Sequence, residues 1–129
     1  MTKNEIKFIR SLQQKKNRQT HNLFVVEGAK NVLEVLTSNW EIKSLFVTPD
    51  FEEELKDFLK SEYLEVRPIL SKQASLEQAG TFKTNNSTLA VVKIPTQNIE
   101  HVFENNSGLI LALDNIQDPG NLGTILRTA

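Results

Sequence analysis

The sequence contains no cysteine, which removes disulfides, thiolate metal sites and cysteine nucleophiles together. No apolar run approaches the roughly 20 residues that a helix needs to cross a bilayer. Met1 to Arg10 carries charge but no apolar stretch ahead of a small-residue cleavage site, so no signal peptide is expected. Glycine is scarce, and neither Gly-x-x-x-x-Gly-Lys nor Gly-x-Gly-x-x-Gly follows a candidate strand, which weakens a nucleotide-phosphate reading. Trp40, Tyr63, His21 and His101 have no partner at a diagnostic spacing, so core, surface or linker duty is expected of each. Asn-x-Ser/Thr triplets begin at Asn85, Asn86 and Asn105, but without a secretion signal they read as chance in an Asn-rich sequence. A soluble, cytoplasmic protein is the expectation.

What is present fits a folded chain. The 129 residues are 39% hydrophobic and 24% charged, too apolar for disorder and long enough for one domain, or one small domain plus a piece of another. Net charge is −1, which taken whole argues against a nucleic-acid binder. The distribution reads differently. Residues 1–21 hold Lys3, Lys7, Arg10, Lys15, Lys16 and Arg18 against the single acid Glu5, leaving nine basic and fifteen acidic residues elsewhere. A basic front on an acidic body suggests a polyanion contact at one end. A solvated helix face would look the same.

Hydrophobic spacing organises the chain. Ile6, Ile9 and Leu12 predict a helix over residues 3–17, with Arg18 to Asn22 as a polar break. Strands are predicted at Leu23–Val26, ending at Glu27-Gly28, and at Ile42–Val47, Leu64–Leu70 and Leu89–Val92. Pro68 places the third near a sheet edge. Between them fall helices at Ala29–Ser38, from Phe51 (with Phe51, Leu55, Phe58 and Leu59 on one face), and at Ser71–Ala79, stopped by Gly80. Alternating strands and helices imply βαβ crossovers and a sheet covered on both faces, an α/β fold closing within residues 1–95. Residues 96–106, rich in Asn, Gln and Glu, read as a linker.

A new pattern begins at 107. Leu109-Ile110-Leu111-Ala112-Leu113 is continuously apolar, as in a strand buried on both faces of a parallel sheet. Asp118-Pro119-Gly120-Asn121 predicts a tight turn, with Asn121 as N-cap of a helix whose apolar face is Leu122, Ile125, Leu126 and Ala129. A loop entering a helix at a strand end is where open α/β sheets bind ligands. Gly123 and Arg127, four residues apart, share a face off that stripe. A bare glycine below an arginine lets a ligand backbone come close while the guanidinium reaches it.

The segment Asp114-Asn115-Ile116-Gln117-Asp118-Pro119-Gly120-Asn121-Leu122-Gly123-Thr124-Ile125-Leu126-Arg127-Thr128-Ala129 resembles motif 1 of the SpoU (TrmH-like) family of RNA 2′-O-ribose methyltransferases in the SPOUT superfamily, its D-P-x-N-x-G-x-x-x-R-x-A core complete. Ile9-Arg10-Ser11-Leu12, Lys15-Lys16, Arg18 and Phe24-Val25-Val26-Glu27-Gly28 follow the order found at the start of that family's substrate-binding domain. Thr84-Asn85-Asn86-Ser87 departs from the pattern, lacking the Pro and Gly that many members carry there.

The resemblance implies an N-terminal α/β/α domain similar to a ribosomal-protein RNA-binding fold, then the first strand and helix of a knotted SPOUT methyltransferase domain over residues 107–129. It implies transfer of a methyl group from S-adenosylmethionine to a ribose 2′-OH, by a homodimer, with ribosomal RNA the family-level lean. Asn121 and Arg127 would line the reaction site, with Gly123 facing RNA. Lys15, Lys16 and Arg18 would contact phosphate. Glu27 and Gly28 are RNA-facing or simply end a strand. The motifs forming the knot and the cofactor pocket are expected beyond Ala129, so these 129 residues alone are expected to be inactive. A non-catalytic RNA-binding module is the competing reading; it has no need of Asn121 to Arg127, and a reading frame continuing past Ala129 would favour the enzyme.

Overall fold

A computed structural model describes residues 1–59, 66–96 and 110–129, with side chains of Phe58 and Leu59 outside the description. It divides into two compact units, Met1–Pro95 and Thr96–Ala129. Most of the expected linker, with Leu109, Tyr63 and His101, lies outside the described residues.

The first unit opens with helix α1 (Lys3–Ser11), started by a capping box in which Thr2 and Glu5 satisfy each other's backbone N–H groups. The bond from the Thr2 backbone lowers the Glu5 carboxyl below its ordinary pKa. The single helix expected over residues 3–17 is instead two. Leu12 ends α1, Gln14 is extended, and α2 runs Lys15–His21 through the expected polar break. No apolar residue occurs in α2 and none is buried, so periodicity offers no signal there. Side chains hold the junction: Arg18 Nη1 donates to the carbonyls of Leu12 (3.1 Å) and Gln13 (2.6 Å), and Asn17 Nδ2 to that of Ser11 (2.9 Å). These carbonyls, of the last residue of α1 and the two that follow it, have no partner within the helix.

Strands β1 (Leu23–Glu27), β2 (Ile42–Val47), β3 (Pro68–Leu70) and β4 (Thr88–Lys93) form one sheet in the order β1-β4-β2-β3. β1, β2 and β3 run in one direction, with β2 and β3 hydrogen-bonded neighbours joined through α4 (Pro49–Leu59). β4 inserts antiparallel between β1 and β2, pairing Val25 with Val91 and Phe46 with Leu89. The expected crossovers are present from β1 to β2 through α3 (Ala29–Leu36) and from β2 to β3 through α4. The expectation is corrected only at the connection through α5 (Gln73–Ala79) to β4. This helix is only seven residues long, about 10 Å at 1.5 Å per residue. The loop after it returns to the end of the sheet where β3 finished, so β4 must run the other way. Pro68 begins β3 on the sheet edge, where its missing N–H costs no ladder bond.

Helices cover both faces. The two-residue alternation along β2 and β4 sends Leu45, Val47, Ala90 and Val92 to one side, against Val32 and Val35 of α3 and Phe51 and Leu55 of α4. Phe46, Leu89 and Val91 face the other side, against Ile9, Leu12, Leu76 and Ala79 of α1 and α5. Exposed aromatics finish the surface: Trp40 meets Phe24 edge-on at 5.7 Å, and His21 meets Phe8 at 5.1 Å.

The second unit contains helix α6 (Pro119–Thr128). Two expectations are corrected in this unit. The N-cap is Asp118, whose carboxylate accepts from the Asn121 backbone N–H at 2.8 Å. Gly120 lies inside the helix and does not take positive φ, because Pro119 at the first helical position is already set for the helix. Ile110 to Leu113 forms no strand, and Leu111 is 57% exposed. A strand buried on both faces needs neighbours for its N–H and C=O groups, and no extended segment pairs with it among the described residues. Leu122 and Leu126 are likewise exposed.

Candidate functional site

One end of the sheet gathers the segments that the sequence marked. β1 stops at Glu27, β2 at Val47, β3 at Leu70, and β4 starts at Thr88 beside them, as the bonds Gly28 N to Thr88 O (3.1 Å), Thr48 N to Ser87 O (2.8 Å) and Ser71 N to Val47 O (2.8 Å) show. Loops from every strand therefore meet there. The α1–α2 junction joins them through Gln13 Nε2, which donates to Gly80 O at 3.0 Å.

Glu27 organises this end. It is 8% exposed, and its carboxylate accepts from Thr81 N (2.8 and 3.0 Å), Thr81 Oγ1 (2.8 Å) and Phe82 N (3.2 Å). A buried carboxylate persists when donors converge on it in this way. Its own carbonyl accepts from Asn31 Nδ2 at 3.1 Å, tying α3 to the strand end. Gly80 makes the approach feasible: a Cβ there would lie 2.0 Å from Glu27 Oε2. With φ −92° and ψ −163°, Gly80 is extended backbone, so contact, not conformation, requires the glycine. Gly28 differs. At φ 85° it starts α3 from a region that side chains rarely adopt, and its Cα faces the Phe82 ring.

The structure thus brings Arg18 and Glu27 to one cavity of about 350 Å³, with Gln13, Phe24, Gly80 and Thr81 in its wall. Gly28 adjoins it. Arg18 is half-buried and holds the Leu12 and Gln13 carbonyls just after α1, while Lys15 and Lys16 on the first turn of α2 are exposed. Thr81 and Phe82 were missed by sequence reasoning. No spacing rule links a loop threonine to a glutamate 54 residues away. The Asn85 triplet has a structural role: Asn85 is 2% exposed, donates to Thr88 O at 3.0 Å and accepts from Ser87 N at 3.3 Å. These bonds shape the loop in which the family's Pro and Gly are missing.

On α6, Arg127 folds back over Gly123. A Cβ at Gly123 would sit 3.3 Å from Arg127 Nη1. Nη2 lies 3.4 Å from Thr124 Oγ1, which itself donates to Gly120 O at 2.9 Å. Thr124 was not singled out in the sequence, although its place three residues before Arg127 is the signal that could have found it. No hydrogen bond joins Asn121 to Arg127 among the described residues; the Asn121 backbone, not its side chain, serves the cap. No group of acidic or histidine side chains arranged to hold a metal occurs among the described residues, nor is any helix there long and apolar enough to cross a membrane.

A family model for the MRM3-like substrate binding domain matches residues 3–90. Over 97% of its length the chain is 28% identical to the 23S rRNA (guanosine(2553)-2'-O)-methyltransferase RlmP of Bacillus subtilis, of which it covers 46%. A Porphyromonas gingivalis structure assigned to the TrmH family of RNA methyltransferases aligns with TM-score 0.69 at 29% identity, over 99% of this chain and 47% of that one. An AdoMet-bound rRNA methyltransferase from Sinorhizobium meliloti aligns with TM-score 0.75 at 26% identity, over 99% and 48%. The chain spans about half the length of each of these proteins. These likenesses agree with the SpoU resemblance of the motif at 114–129. Matched from residue 3 to residue 90, the chain belongs to the MRM3-like substrate binding domain family.

Proposed function

We propose that residues 1–95 bind RNA and present it to a methyltransferase domain that begins at residue 107, after a linker over 96–106, in an enzyme methylating a ribose 2′-OH. The observation that carries this is the match of residues 3–90 to a substrate binding domain, followed by a complete D-P-x-N-x-G-x-x-x-R-x-A motif. The finer reading is a cytoplasmic homodimer acting on ribosomal RNA; the ribosomal-RNA enzymes among the chain's relatives support the choice of RNA.

S-adenosylmethionine, when bound, supplies an electrophilic methyl group. The described residues fit the RNA side of that transfer, and none of them is assigned to the cofactor. A ribose hydroxyl is a poor nucleophile, so its developing negative charge must be stabilised. Arg127 suits that role, because its guanidinium stays protonated, holds a phosphate bidentately and lowers the cost of the adjacent alkoxide. The same permanence rules it out as the base. Thr124 orients the guanidinium over Gly123, which leaves room for the ribose-phosphate backbone. Asn121 shares the substrate side and offers its side-chain amide to RNA.

On the substrate-binding unit, Lys15 and Lys16 contact phosphate, and Arg18, Glu27 and Gly28 shape the surface beside them. The test is binding of RNA as a function of salt. Replacing Lys15 and Lys16 by alanine should reduce the slope of log affinity against log salt by about 1 for each phosphate that is no longer neutralised. An unchanged slope would remove both lysines from the interface. Methyl transfer from labelled S-adenosylmethionine to the 2′-OH of RNA by the complete protein tests the activity, and its absence would leave the binding-only alternative.

A further inference from the structure

Beside the Glu27 cavity, a second cavity of about 470 Å³ opens at the same end of the sheet, between the start of α3, the first turns of α4 and the loop Phe82–Ser87. Its wall holds an aromatic ring, two carboxylates and short polar side chains: Phe82, Asp50, Glu54, Thr84 and Asn86. No spacing or pattern along the chain singles these residues out as a group, and the proposed function does not use them.

Phe82 is 45% exposed, yet its position is held from below. The backbone N–H donates to Glu27 at 3.2 Å, and the ring lies against Gly28, where a Cβ would come within 3.2 Å of Cε2. The loop beyond is equally constrained: Asn85 is buried and hydrogen-bonded, and Asn86 O accepts from Thr48 Oγ1 at 2.8 Å. The ring is therefore a pre-set platform, and such a surface binds without first losing its own freedom.

The carboxylates decide what lies on it. Glu52 and Glu53 pair with Lys56, whereas Asp50 and Glu54 have no side-chain hydrogen bond or ion pair among the described residues. Asp50 in the first turn also favours the helix dipole, but Glu54 lies beyond that turn. Two such carboxylates repel a phosphate and accept from N–H groups. A flat, neutral group with amino donors on its edge satisfies both the ring and the acids. Unpaired RNA bases are read in this way, stacked on an aromatic side chain and hydrogen-bonded along their edges. Lys30 and Lys83, both exposed and next in sequence to the wall, can take the flanking phosphates.

We propose that this cavity holds one unpaired nucleobase of the RNA, stacked on Phe82, with Asp50 and Glu54 selecting bases that carry an exocyclic amino group. The inference rests on the RNA-binding reading above and adds a base-selective subsite to it. Adenine, cytosine and guanine meet the requirement; uracil, which presents carbonyl oxygens and no exocyclic amine, does not.

Fluorescence anisotropy of the full chain with short labelled oligoadenylate, oligocytidylate and oligouridylate tests it. Adenylate and cytidylate should bind more tightly than uridylate. F82A should weaken both by about tenfold with an unchanged salt slope, because stacking carries no charge. F82W should retain binding, and D50N with E54Q should erase the preference over uridylate. The ring is half exposed, so F82A should melt as the unaltered chain does. Undiminished affinity in F82A, or no preference for amino-bearing bases, overturns the subsite while leaving salt-dependent binding through Lys15 and Lys16 intact. Failure of every oligonucleotide and of larger RNA to bind at low salt would instead overturn the RNA-binding reading itself, and the subsite with it.

Discussion

Replacing Arg127 by alanine in the complete protein should lower the rate of methyl transfer by about 10³-fold, the scale on which a single group stabilising transition-state charge acts. The loss should appear in kcat, because the guanidinium acts most strongly when negative charge develops on the ribose oxygen. RNA affinity should fall only by the share of one phosphate contact, since those assigned to Lys15 and Lys16 are untouched. Arg127→Lys should be nearly as poor: an ammonium keeps the charge but loses the planar fork that grips a phosphate at two points. The fold should be unaffected, because Arg127 is exposed and its one side-chain partner among the described residues is Thr124 on the same helix. Single-turnover transfer from labelled S-adenosylmethionine measures this. Turnover retained in Arg127→Ala would sink the assignment.

Glu27→Ala should be the most damaging single change to the substrate-binding unit away from its apolar core. It strands Thr81 N, Phe82 N and Thr81 Oγ1, whose acceptor is a buried carboxylate. Hydrogen bonds to charged groups contribute about 1.5–3 kcal/mol each, and donors left unpaired add their own desolvation cost. Since the loop can relax toward water, a total of about 3 kcal/mol is expected, with Tm lower by on the order of 10–20 °C for a unit of this size. Gly80→Ala should reproduce about two-thirds of that loss by pushing the carboxylate away without removing it. A thermal melt of both variants within about 2 °C of the unaltered chain would show that Glu27 does not hold this loop. The pair also separates the two roles considered for Glu27. An RNA-facing carboxylate would change affinity more than stability, and a strand-end anchor would do the reverse.

The strands and helices were legible because their signals are local. Ile42–Val47 has the bounds that its composition predicts, and Phe51 and Leu55, Val32 and Val35 fall on the buried faces that their spacing requires. Pro68 announced an edge because a missing N–H excludes a central strand. The failures share a cause. The α1–α2 junction is held by Arg18 and Asn17 side chains reaching back to carbonyls, a contact that hydrophobic periodicity does not encode. Asp118 outcompeted Asn121 as N-cap because Pro119 favours the first helical position, which moved the helix start three residues earlier. Ile110 to Leu113 has the composition of a buried strand, yet composition does not supply the neighbouring strands that its backbone needs.

At the motif, the residue types and their spacing by themselves determined that Gly123 and Arg127 share a face of a helix, since four residues make about one turn. The tertiary structure decided the site in the first unit. β4 threads antiparallel between β1 and β2, and only that threading sets the loop Gly80–Ser87 beside Glu27 and Gly28. Strand direction depends on the path of the connection before it, not on the strand's own residues. For that reason neither the anchoring of Glu27 nor the cavity beside Phe82 could be read along the chain.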